Sequence, residues 1–441
     1  MRRTALALLI LPLLGLSGWD VAAPTRGFAP TTTVDVHVTE WEFSKVSPDT
    51  APAGTIAFTI HNDGVFTHDF SIAGNTTRPI PGGGTATLTV FLPQPGVYTY
   101  LSTLDDVDRE MWGGFTVAGP AVTTATTMTT ARTSSRLPLQ QVADVPLPGS
   151  STRFDYQVVD TARRRLFIAH LGSGELLAFD LAHRRISGRV GGLPGVRGVA
   201  IAPELNRVYA AATDAHRLVT LNERTLRVVR RAPAGGFPDG VAYDPADGLT
   251  FASDVDGHEE VVFAARSGRR LGRVPLGGDP GNVQYDAKTR TMVVAVGSTG
   301  EVDVIAPRSR RVLKRVRLSG CDKPHGVEVV STLRRAYVAC EGNGKLVVLD
   351  LAKRRQRGLF SVGETPDVLD FDPGLRRLYV ASESGVVSVF AVRGSGLSKL
   401  GQDKVDEHAH SVAVDPTTHL VYLPLENVDG KPVLRIMRPT A

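Results

Sequence analysis

The sequence predicts an all-β protein, with a β-sandwich near its N-terminal end and a seven-bladed β-propeller over residues 137–441. Three observations carry this reading. The first is a repeat: strand-like segments begin at Gln157, Val199, Val241, Val283, Val327, Leu369 and Val412, at steps of 42, 42, 42, 44, 42 and 43 residues. Within it, Asp160, Asp244, Asp286, Asp372 and Asp415 recur three residues after a start, and Phe167, Tyr209, Phe251, Tyr337, Tyr379 and Tyr422 ten residues after. A strand repeat of about 40 residues is the signature of propeller blades. A helical repeat of that length would show 3.6-residue periodicity, and none is present. The second observation is composition. Gly (45) and Pro (28) are plentiful in the 441 residues and aromatics are only 6%, which favours short strands and turns. The third is a break between 120 and 136, where Thr, Ala and Ser replace any apolar pattern.

Taken in order, residues 1–23 read as a signal peptide: Met1-Arg2-Arg3 precedes an apolar run from Thr4 to Gly18, with Val21-Ala22-Ala23 as the best small-residue cleavage site. Pro24 is a poor context for cleavage, so an uncleaved anchor is the alternative, and the lack of a following Cys argues against a lipoprotein. Residues 31–119 alternate strand-like segments (Val34–Val38, Thr55–His61, His68–Ile72, Ala86–Phe91, Val97–Leu101, Phe115–Val117) with Gly, Pro and Asn-Asp turns, as a sandwich requires. Residues 120–136 form a Thr-rich linker. In the repeat domain the seventh unit is short, and Gln140–Leu147 alternates apolar and polar residues. That segment is expected to supply the missing outer strand and remove the free edges of the ring.

Because neighbouring strands of a blade are antiparallel, the position of a residue in the repeat assigns its side chain to one face of the disc. One face collects acids and imidazoles around the channel mouth. Asp155, Asp239, His325, Asp367 and His410 precede inner strands; His170, Asp254, Glu341, Glu383 and Glu426 follow second strands; His408 lies near them. These eleven are the candidate ligand-binding residues. The other face carries Arg-rich hairpin turns, such as Arg163-Arg164-Arg165, Arg184-Arg185, Arg269-Arg270, Arg310-Arg311, Arg334-Arg335 and Arg376-Arg377, which hold the excess behind a net charge of +5. Arg turns of this kind solvate hairpins, or they dock the disc on an anionic cell surface or membrane. Nucleic acid is excluded for an exported chain whose basic turns lack interleaved aromatics. The two cysteines, Cys321 and Cys340, fall on one face of blade five and are expected to pair.

The first domain resembles the cupredoxins, particularly exported members associated with iron uptake and sulfocyanin-like proteins. The pieces that carry the resemblance are Trp41-Glu42-Phe43, Pro52-Ala53-Gly54-Thr55, Asn62-Asp63-Gly64 with His68, Pro95-Gly96-Val97-Tyr98-Thr99-Tyr100, and Met111-Trp112-Gly113-Gly114-Phe115-Thr116-Val117. The resemblance implies a Greek-key sandwich and, in copper-binding members, a site of two His, a Cys and a Met. Here His68 and Met111 match the first and last ligands, while Ser102 stands at the Cys position, Val107 at the second His, and the loop is one residue short. The reading is a copper-free scaffold with remnant ligands. The repeat domain resembles the YVTN-type propellers of exported surface and periplasmic proteins, on Gly363-Glu364-Thr365-Pro366-Asp367, the Asp-Pro turns at 244, 372 and 415, Leu378-Tyr379-Val380-Ala381 and Val348-Leu349-Asp350-Leu351. These motifs place turns and core, and such propellers serve varied functions.

No G-x-S-x-G or H-E-x-x-H spacing occurs. The expectation is therefore an exported (periplasmic, secreted or cell-surface) non-catalytic protein that binds a ligand or partner at the propeller mouth. Two alternatives stand beside it: a copper-handling or electron-transfer protein, and a metal-dependent hydrolase or lyase using the mouth histidines. With a hydroxyl in place of the thiolate, added Cu(II) is expected to produce no intense visible charge-transfer band; a visible absorption titration checks this.

Overall fold

The computed structural model describes residues 32–40, 42–73, 75–92, 95–102, 111–119, 137–394 and 396–440. The expected leader and linker lie outside these, as does the 103–110 loop with Val107.

Two sheets form the first unit. One runs Phe43–Ser47, Thr32–Val38, Gly54–Asn62, Thr85–Leu92, and the other Thr50–Pro52, Trp112–Ala118, Gly96–Leu101, Ser71–Ile72, Asn75–Thr76. Val34, Val36 and Val38 alternate inward on their strand and are fully buried. They pack with Phe58, whose ring lies 5.3 Å from Phe70 and 5.1 Å from Phe115. Each such aromatic pair adds about 1 kcal/mol beyond area burial. Sequence reading missed the short strands Phe43–Ser47, Thr50–Pro52 and Asn75–Thr76. It also made His68 part of a strand, whereas it forms an isolated bridge to Ile80.

The remaining described residues form seven four-stranded antiparallel sheets. Inner strands of blades 2 to 6 begin at Val196, Pro238, Pro280, Pro324 and Pro366, three residues earlier than the apolar pattern suggests. The reason is a bulge. Pro238 pairs with Asp254, and the register shifts before Val241 resumes opposite Ala252. The same break recurs in blades 2, 4, 5 and 6. Such bulges re-aim side chains, here at the channel mouth.

The recurrent Asp is a turn device. Oδ1 of Asp160, Asp244 and Asp372 accepts the N–H groups two and three residues on, and Oδ1 of Asp286 and Asp415 the one two residues on. The residue four places after each Asp, Arg164, Gly248, Arg290, Arg376 or His419, has positive φ. Five residues thus turn a hairpin without a compulsory glycine. The recurrent aromatics Tyr209, Tyr337, Tyr379, Tyr422, Phe167 and Phe251 are all fully buried, and Tyr209 donates its hydroxyl hydrogen to the Ala265 carbonyl at 2.8 Å in the next blade.

Blade 7 is composite. Leu139–Pro146 pairs antiparallel with Lys431–Pro439, outside Val421–Val428 and Ala413–Val414. Arg435 reaches back to Asp144 with Nε at 2.9 Å and Nη2 at 2.7 Å, a two-pronged pair that fixes the register. Cys321 and Cys340 form a disulfide within blade 5.

One buried acid has a consequence for stability. Glu260 in blade 3 is fully buried, and its Oε1 accepts the Ser253 hydroxyl at 2.7 Å. Burial, with Asp254 adding to it, pushes its pKa up to about 8. A raised carboxyl pKa contributes stability that is fully present below about pH 4.5 and is lost as pH rises to about 8. Glu260→Gln is therefore expected to flatten the fall in stability between pH 5 and 8; denaturant unfolding across that range measures it.

Candidate functional site

The channel mouth is built from the bulged starts of the inner strands. It opens into a cavity of about 370 Å³ lined by Asp155, Asp239, His325, Glu341, Asp367 and Glu383, all expected from sequence. Beyond it the channel widens to about 630 Å³ between the inner strands, with Glu328 and Asp370 as its acidic side chains.

At the centre sits Asp367. Its Oδ1 accepts the Tyr156 hydroxyl at 3.3 Å and lies 3.6 Å from His325 Nε2, and its Oδ2 is 4.0 Å from an Arg153 Nη2. The same His325 nitrogen is 3.8 Å from Asp239. Burial lowers the imidazole pKa, but Asp367, Asp239 and Glu341 outweigh it and the net shift is upward. Asp155 is buried, with Oδ2 taking Arg197 at 3.3 Å. Burial, then the charges of Asp239 and Asp367, hold its carboxyl well above the usual range. Asp239 is raised by burial too, against the pull of His325 and Arg197. Arg153 binds Glu383 at 2.5 Å, and Arg197 lies 5.0 Å above the Phe237 ring.

His410 is buried at the edge of this group. Its Nδ1 sits 2.9 Å from the His408 carbonyl and 3.4 Å from Glu383. His408 is more exposed, 3.9 Å from Glu383. Three candidates stand elsewhere. His170 stacks on Phe154 at 4.1 Å with Nε2 beside Thr152 and Ser173, and burial lowers its pKa. It is a packing residue of blade 1. Asp254 turns back to accept the Phe237 N–H at 2.8 Å, clamping the loop that enters blade 3. Glu426 lies within Val421–Val428, because that strand runs on past the length of the others.

Sequence reasoning did not count Arg153, Tyr156 or Arg197 among the mouth residues. Arg153 and Tyr156 precede a single blade and have no counterpart in the repeat, so periodicity gave no signal for them. On the opposite face several turn arginines serve as clips between strands. Arg163 binds Glu223 at 2.8 Å, Arg164 binds Asp415 at 2.6 Å, Arg310 the Leu271 carbonyl at 2.7 Å and Arg377 the Thr440 carbonyl at 2.8 Å.

In the first unit two of the remnant ligand positions, Ser102 and Met111, lie side by side. His68, Ser102 and Met111 are all buried, the Ser102 N–H bonds the Met111 carbonyl at 3.0 Å, and the Asp69 N–H reaches Ser102 Oγ at 3.4 Å. Ser102 and Met111 face Arg357, Phe360 and Leu397 of blades 5 and 6 across a gap of about 30 Å³.

No protein-family model matches the chain, and no curated protein does. Among solved structures it is similar to the crystal structure of the RRP9 WD40 repeats, with a TM-score of 0.58 at 12% identity, over 68% of this chain and 100% of that one. At that identity the likeness shows the β-propeller fold alone.

The assignment of Asp254 to a loop clamp is testable. Asp254→Ala leaves the half-buried Phe237 N–H without its acceptor and is expected to cost about 1 kcal/mol in denaturant unfolding.

Proposed function

We propose that this chain is an exported, non-catalytic binding protein, a YVTN-type propeller with a cupredoxin-like accessory domain, whose channel mouth takes a small organic cation. The observation that carries the reading is the charge of the mouth. Six acidic side chains (Asp155, Asp239, Asp279, Glu341, Asp367 and Glu383) line it against Arg153, Arg197, Lys323 and the imidazole of His325. A low-dielectric cleft with an excess of one sign concentrates ligands of the other. The cavity volume suits a molecule of modest size. Export is supported by the charged-then-apolar start of the sequence and by the Cys321–Cys340 bridge. The exposed turn arginines that clip nothing among the described residues, such as Arg184, Arg185 and Arg334, remain available for weak, salt-sensitive contact with an anionic surface. A copper-handling role is supported by the burial of His68 and Met111 and opposed by the hydroxyl of Ser102 at the thiolate position.

Calorimetric titration of the full chain with a short polyamine and with a dicarboxylate of matched length tests the reading. The polyamine is expected to bind, and Asp239→Asn to weaken it at least about tenfold, the equivalent of about 1.4 kcal/mol. Preference for the dicarboxylate, or binding indifferent to Asp239→Asn, would overturn it.

A further inference from the structure

At the deep edge of the mouth, Asp155, Asp367 and His410 each offer a ligand atom within 4.8 Å of the others, and all three residues are buried. What sets this group apart from an ordinary acidic cluster is how each member is held. The Nδ1 of His410 faces the His408 carbonyl at 2.9 Å, an acceptor only, so Nδ1 carries the proton and Nε2 carries the lone pair. That Nε2 is buried without a hydrogen-bond partner among the described residues, and so is Oδ1 of Asp155, while Oδ2 of Asp155 is occupied by Arg197. Asp367 has its Oδ1 held by Tyr156. His410 and Asp155 are thus each oriented through one atom and present another, the outer-shell arrangement that metal ligands require, and Asp367 adds an Oδ2 whose ion-pair partner, Arg153, stands 4.0 Å away.

We infer that Asp155, Asp367 and His410 form a site for a divalent first-row metal ion that ties blades 1, 6 and 7 together across the closure of the ring. One imidazole with two carboxylates suits Zn²⁺ or Mn²⁺, with the remaining positions left to water or ligand. Ligand atoms bonded at about 2.1 Å in a tetrahedral site stand roughly 3.4 Å apart, and the three here lie within 4.8 Å of one another. Two buried carboxylates this close repel each other, and Arg197 at 3.3 Å from Asp155, with Arg153 at 4.0 Å and His325 at 3.6 Å from Asp367, compensate them from a distance, so a cation held directly between them is favoured. The backbone is already set for this role. The Ser411 hydroxyl donates to the Asp155 carbonyl at 2.6 Å, and the Val368 N–H to the His410 carbonyl at 3.3 Å, so the three blades meet at the ligands themselves. The inference does not depend on an organic cation entering the mouth.

The test uses the full chain, stripped with a chelator and dialysed, then titrated with Zn²⁺ and separately with Mn²⁺ by calorimetry and by thermal unfolding. One equivalent is expected to bind and to raise the Tm. Asp367→Asn and His410→Gln should each weaken the affinity at least about tenfold and remove the Tm shift, while His68→Ala in the sandwich leaves both unchanged. Absence of stoichiometric binding by the wild type, or affinity kept within about threefold in both variants, overturns the proposal. Should either variant fail to fold, X-ray absorption of the Zn²⁺-loaded wild type decides. One imidazole with oxygen donors is expected; sulfur, or two or more imidazoles, overturns it.

Discussion

The propeller depends on one pairing, that of Leu139–Pro146 with Lys431–Pro439. Blades 1 to 6 are each complete from consecutive strands, yet a row of six blades would leave two apolar faces open to water. Blade 7 closes the ring only because Leu139–Pro146 joins it. The Asp144–Arg435 ion pair spans 291 residues of chain, so the loop-closure entropy is set against one strand ladder and the burial it completes. Everything at the mouth follows from that closure. Asp155 and Asp367 approach each other only when blades 1 and 6 are held on either side of blade 7.

Such an arrangement concentrates cost where it concentrates function. Seven inner strands cannot converge on an axis without bringing their entry loops together, and a bulge at five of them aims polar side chains inward. Asp155, Asp239 and Asp367 are buried with fewer cations than their charges need, and the raised carboxyl pKa of Asp155 expresses that imbalance. Hydrophobic packing between blades supplies the stability that tolerates it. The fully buried tyrosines ten residues into the repeat, Tyr209, Tyr337, Tyr379 and Tyr422, are the largest side chains in that packing.

What the sequence could reveal divides along the same line. Period, blade number, closing strand and the Cys321–Cys340 pairing depend on local alternation and spacing, and all were readable. The face of each side chain was readable too, which is why six of the eleven expected mouth residues line the cavity and His410 stands at its edge. Contacts between blades were not. His170 and Asp254 occupy the right face but satisfy their own loops, a choice set by Thr152, Ser173 and the Phe237 N–H. Arg153 and Tyr156 break the repeat and so left no periodic trace. Turn arginines read as a charged surface partly because nothing local reveals that Arg163 and Arg164 reach neighbouring blades.

The disulfide has a bearing on the mouth beyond its contribution to folding. It joins the loop entering blade 5 to the end of that blade's second strand, with a separation of 19 residues, and crosses no blade boundary. Both flanks matter: His325 follows Cys321 by four residues, and Glu341 follows Cys340 directly. Reduction would leave the ring closed and the other six entry loops unchanged, while freeing one wall of the cavity to move. The redox state of the surroundings would then reach the mouth as a change in how firmly His325 and Glu341 are held, with the fold itself intact.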